Sequence, residues 1–137
     1  MTDPFAPADE ATRRREARQR ALEMLYEAQL RGIDVADVLA AEVVPSDPFA
    51  RRLATGVWAR TEELDARIEV LLRDGWSLDR LAVLDRWVLR LGLYELDTGE
   101  APPAVVMSEA VELAATYGAT DESPRFVNGL LAAAARS

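Results

Sequence analysis

The 137-residue chain has no cysteine and no histidine, and none of its basic residues is lysine. Without cysteine there can be no disulfide, no thiolate nucleophile and no thiolate metal site. The missing histidine removes the commonest general base and the commonest transition-metal ligand. All sixteen basic side chains are arginine; because the replacement is uniform, GC-rich codon usage explains it more simply than function does. No apolar run approaches the roughly 20 residues of a membrane span. The opening MTDPFAPADEA lacks the basic-then-apolar order of a signal peptide, so a reduced cytoplasmic location is expected. There is no glycine-rich phosphate loop or dinucleotide fingerprint. Carboxylates are plentiful, at Glu62, Glu63, Asp85, Glu95, Asp121 and Glu122, but their spacing selects no acid–base pair. Catalysis, a cofactor and a metal are therefore not expected.

What remains is helical. Half the residues are hydrophobic and 29% are charged, an ordinary globular balance. Apolar side chains recur at helical spacing nearly throughout. Residues 1–8 read as a flexible tail, and 9–137 as a single all-helical domain. A first helix is predicted from near Asp9 or Ala11, turning apolar at Ala21, Leu22, Leu25 and Ala28, with Gly32 at its C-terminal cap. Asp34 is placed to cap a short second helix through Val35, Val38 and Leu39. Asp47-Pro48 reads as a cap followed by a first-turn proline. The segment 48–72 is one helix, or two if Thr61 caps a second. Ser77 is expected to cap a helix with Leu81, Leu84, Val88, Leu91 and Tyr94 inward. Pro102-Pro103 opens another, and Ser123-Pro124 the last, again as cap then proline. Trp58, Trp76 and Trp87 read as core or rim anchors without a charged cluster nearby. Six or seven helices with short polar breaks make a compact all-α protein.

One charge feature stands out. Arg13, Arg14, Arg15, Arg18 and Arg20 against Glu16 leave that stretch at +4 in a chain of net charge −8. Such asymmetry points to a polyanion, nucleic acid first, since salt confines each charge's reach to roughly 8 Å. The competing reading is a solvated helix face. Helical geometry places Arg14 and Arg18 one turn apart with Arg15 beside them, able to follow successive phosphates. Tyr26 lies three turns along from Arg15, and Phe126 follows Arg125 on the first turn of the last helix. Both aromatics could stack on unpaired bases; spacing alone favours a core-edge tyrosine and a core phenylalanine.

Four segments carry a resemblance: RRREARQRALEMLYEAQL at 13–30, WSLDRLAVLDRWVLRLGLYEL at 76–96, PPAVVMSEAVELAATYG at 102–118 and RFVNGLL at 125–131. In this order, and above all through LGLYEL, SEAVELA and FVNGLL, the chain resembles the NusB family of bacterial transcription antitermination factors. The likeness spans about Arg13 to Ala134. It implies two small helical bundles packed together and a non-catalytic role: binding the boxA element of nascent ribosomal RNA transcripts as single-stranded RNA. The partner would be NusE, a small-subunit ribosomal protein, with other Nus factors and RNA polymerase joining the complex. The implied RNA contacts are Arg14, Arg15, Arg18, Tyr26, Arg125 and Phe126; the implied NusE contact is Asp85, on an acidic surface. Glu16 interrupts the basic run, and the link GATDESPRF is one residue longer than the common pattern. Two other readings stand beside this one: a NusB-like accessory domain of a ribosomal RNA methyltransferase, and a helical module that forms homodimers.

Overall fold

A computed structural model describes residues 9–136, and the tail expected over 1–8 lies outside them. The described residues form seven helices and no strand: α1 (Glu10–Arg31), α2 (Val35–Ala40), α3 (Pro48–Ala59), α4 (Thr61–Leu71), α5 (Val83–Thr98), α6 (Pro103–Tyr117) and α7 (Ser123–Arg136). A single 3₁₀ turn, Leu78–Arg80, precedes α5.

Several boundaries follow from local chemistry. Asp9 accepts the Thr12 N–H at 2.7 Å and starts α1. Gly32, at φ 65°, ends it in the left-handed region that a side chain would resist. Asp47 accepts the Phe49 N–H at 2.8 Å ahead of Pro48. The 48–72 segment is two helices, broken at Arg60. Thr61 is not the cap expected there: its hydroxyl donates back to the Val57 and Trp58 carbonyls, closing α3 rather than opening α4. Ser77 likewise heads the 3₁₀ turn without a side-chain cap, and α5 begins six residues later at Val83. Ser123 is the first residue of α7 rather than its cap, and its hydroxyl turns inward.

α5 sets the architecture. Trp87, Val88, Leu89, Arg90, Leu91, Gly92, Leu93 and Glu95 are all buried, so α5 hides most of its circumference, as a central helix must. It packs on α1 and α3 on one side and on α4, α6 and α7 on the other. The first group, with α2, makes one bundle, and the second makes the other. Gly92 lets α7 approach closely, because a Cβ there would lie 2.8 Å from Leu131 Cδ1.

The tryptophans divide three ways. Trp87 is core, Trp58 is half-buried and Trp76 is exposed. Trp58 and Trp87 stack at 5.9 Å. Contrary to the sequence expectation, charges do attend them: Arg90 lies 4.3 Å over the Trp87 ring and pairs with Asp65, while the Trp58 indole donates to Asp34. Asp34 is 24 positions from Trp58 and Asp65 is 25 from Arg90, beyond any local pattern, whereas Arg90 lies only one helical turn from Trp87.

Candidate nucleic-acid interface

The 22-residue α1 presents the five arginines over its first three turns, and each meets a carboxylate. Arg13 pairs with Asp47 at 3.2 Å and Arg14 with Glu10 at 2.9 Å. Arg15 donates twice to Glu109 of α6, from Nε and Nη2, both at 3.1 Å. Arg20 reaches Glu42 at 2.9 Å. Hydrogen bonds to Glu109 raise the already high Arg15 pKa further.

Arg18 differs in kind. Its side chain is 3% exposed, and it grips Glu95 of α5 with Nε and Nη2 at 2.9–3.1 Å. The guanidinium also lies 5.4 Å from the Phe49 ring centroid. The sequence placed Arg18 on the outer strip with Arg14; the structure turns it inward, where it ties α1 to α5. Burial decides what the others can do. Exposed ion pairs contribute only about 0–1 kcal/mol, so Arg13 and Arg14, whose pairs with Asp47 and Glu10 are open on both sides, can exchange a carboxylate for a phosphate cheaply. Arg15 and Arg20 are open themselves, but they would leave behind Glu109 and Glu42 at 12% and 9% side-chain exposure, so their exchange costs more. Arg18 cannot, because the exchange would strand a buried Glu95.

α6 is held by α7 and α5, and two polar contacts, Arg15–Glu109 and the Tyr117 hydroxyl donating to Glu23 at 3.4 Å, show how it lies along α1. The contacts are eight residues apart on each helix and in the same order, so the helices run in the same direction, with the two rungs about 12 Å apart. Burial, and then Glu23, raises the Tyr117 pKa. Half-buried Tyr26 sits one turn beyond Glu23 on α1, and α7 starts six residues after Tyr117. Arg125 is exposed on the first turn of α7, and no ion pair falls on it among the described residues. Phe126 is half-buried and rests against the core. The structure thus gathers Arg14, Arg15 and Tyr26 along α1 and holds Arg125 and Phe126 at the start of another helix, linked to α1 through α6.

Asp85 is not the open acidic contact that the sequence suggested. It is 9% exposed, on the first turn of α5, and accepts the Ser123 hydroxyl at 3.1 Å. Its Oδ1 is buried without a partner. Asp85 therefore fastens the start of α7 to the start of α5. Glu95, Glu109, Phe49 and Arg52 were not singled out as interface residues from sequence. The first two face their arginines across 77 and 94 positions, and only the i,i+4 step from Pro48 to Arg52 hinted that Arg52 shares the N-terminal face of α3. Among the described residues no group of carboxylates converges as metal ligands would.

Fold and site together define a double-bundle helical protein whose leading helix carries exchangeable cations beside aromatics. The sequence model of the NusB family matches residues 15–136. The transcription antitermination protein NusB of Saccharopolyspora erythraea is 45% identical over 127 residues, covering 86% of this chain and 83% of the relative. That of Kineococcus radiotolerans is 46% identical over 123 residues, covering 87% and 90%. Among solved structures, T. maritima NusB superposes with a TM-score of 0.80 at 34% identity, covering 90% and 91% of the two chains. A complex of the antitermination factors NusB and NusE with dsRNA contains a chain matching at TM-score 0.76 and 31% identity, covering 91% and 97%. This chain belongs to the NusB family.

Proposed function

We propose that the protein is a transcription antitermination factor, acting by binding rather than catalysis, that engages boxA RNA of nascent ribosomal transcripts together with NusE. The observation that carries this is the exposed guanidinium face of α1, Arg14 and Arg15, on the same helix as Tyr26. Arg14, Arg15 and Arg125 take phosphates. Tyr26 and the outer edge of Phe126 take bases, as suits single-stranded RNA, whose unpaired bases side chains can reach. Arg18 is a positioning residue that holds α1 on α5. The names of the relatives, and a related complex with NusE and dsRNA, support the partner and ligand class. Residues 9–137 act as one RNA-binding unit. NusE docks at the start of α5, where Asp85 keeps α5 and α7 in register; other Nus factors and RNA polymerase join in the cytoplasm.

Titration of labelled boxA-like, scrambled and duplex RNAs, with and without NusE, tests this. Preference for the boxA strand, sharpened by NusE, is expected, with log affinity falling by about 0.7 per log unit of salt for each phosphate contact. Equal binding of all three RNAs under every condition refutes it.

A further inference from the structure

Next to the α1 strip lies a small cleft of about 210 Å³ between the starts of α1 and α3, lined by Glu10, Arg13, Arg14, Asp47, Phe49 and Arg52 among others. Its floor is the Phe49 ring, nearly buried, with the Arg14 guanidinium 4.5 Å and that of Arg52 5.5 Å from the ring centroid. Stacking on one ring keeps two like charges close together. One carboxylate faces both: Glu100 is hydrogen-bonded to Arg52 Nη2 at 2.9 Å and stands 3.9 Å from Arg14 Nη1, whose Nε is held by Glu10 at 2.9 Å. An oxyanion thus already occupies the point where the two guanidinium groups converge.

The carboxylates around the cleft are not equally committed. Asp47 caps α3 through the Phe49 N–H, which together with Arg13 holds its carboxyl below the ordinary range. Glu10 belongs to the first turn of α1. Glu100 sits in the short link between α5 and α6, its side chain 43% exposed, and among the described residues its side chain meets only these two arginines. It is the carboxylate that can leave without unfastening a helix. A phosphodiester offers a guanidinium pair the same geometry, with more acceptor oxygens and the counterion release that a side-chain carboxylate lacks.

The geometry points to a second phosphate subsite for RNA, formed by Arg14 and Arg52 over Phe49 and filled by Glu100 until the nucleic acid displaces it. The subsite carries the RNA track from α1 onto the first turns of α3. It rests on the RNA-binding reading above and adds Arg52 as a contact and Glu100 as a competitor that sets affinity.

The test is a salt titration of boxA-like RNA binding, with NusE present, on the wild type, Arg52→Ala, Glu100→Gln and the double variant; thermal melts confirm that each stays folded. Arg52→Ala is expected to lower the salt slope by about 0.7. Glu100→Gln should tighten binding by about two- to five-fold, the worth of an exposed ion pair. In the double variant the Glu100→Gln gain should shrink, since only the longer Arg14 contact of Glu100 is left to relieve. An unchanged slope in Arg52→Ala, while Arg15→Ala lowers it, overturns the subsite but leaves the RNA reading standing. An unchanged affinity in Glu100→Gln overturns the displacement. A wild type that binds no RNA removes the RNA reading itself, and the subsite with it.

Discussion

Replacing Arg18 by alanine tests whether its buried pair with Glu95 holds α1 on α5. The substitution leaves Glu95, 5% exposed, facing a void where three hydrogen bonds of 2.9–3.1 Å had been. Breaking a buried pair from one side costs about 3–5 kcal/mol, because the surviving charge has no partner and no water. Loss of the guanidinium over Phe49 adds to this. Against a total stability of about 5–15 kcal/mol for a single domain, the melting temperature should fall by on the order of 10 °C. Urea unfolding followed by circular dichroism gives the number.

The companion variant is Arg18→Met with Glu95→Leu. Removing both charges leaves no orphan, and apolar replacements of similar volume are often neutral or better, so most of the loss should return. Once its melt shows a cooperative fold, the RNA binding of this double variant can be measured. If Arg18 only positions α1, affinity changes modestly and the salt slope matches the wild type. A loss below about 1 kcal/mol for Arg18→Ala, or a slope lower by about 0.7 in the double variant, would refute the internal role and return Arg18 to the list of phosphate contacts.

Arg15→Ala should lower the salt slope of RNA binding by about 0.7, whereas Glu109→Gln, which releases the same guanidinium, should tighten binding a few-fold in the same titration. Asp47→Ala should cost about 1 kcal/mol by removing the α3 cap, read from denaturant midpoints. The Asp47 carboxyl is held below its ordinary 3.8 by the Phe49 N–H and by Arg13, so its contribution is complete above that value and lost as pH falls through the lower folded one. Unfolding of Asp47→Ala should therefore show a weaker acid dependence below about pH 4 than the wild type. Gly92→Val should destabilise by about 1–3 kcal/mol, since its side chain would meet Leu131 in a filled core.

The helices were legible because their signals are local. Asp9, Asp34 and Asp47 cap neighbours two or three residues on, and Gly32 ends α1 within its own turn. Where a cap residue had a stronger distant or backward partner, local reading failed. The Ser123 hydroxyl goes to Asp85, 38 positions away, and the Thr61 hydroxyl to carbonyls of the preceding turn. The candidate site was legible as composition but not as geometry. Periodicity put Arg14 and Arg18 on one side of α1, yet a helix of about 100° per residue has flanks as well as faces. Which flank is core depends on where α5 lies, and no local pattern carries that.

The arginine cluster is not an open positive surface. A stretch of +4 in a chain of −8 suggests an open positive surface, but in space the cluster is matched by Glu10, Glu42, Asp47, Glu95, Glu100 and Glu109. RNA binding at such a face is anion exchange, and its strength is the difference between what a phosphate gains and what a carboxylate gives up. For exposed pairs that difference favours the polyanion, since the surface pair is worth little and each phosphate contact releases counterions. For the Arg18–Glu95 pair it favours the carboxylate, which has nowhere else to go. The distribution of burial along α1, rather than the count of arginines, therefore determines which of them an RNA strand can take.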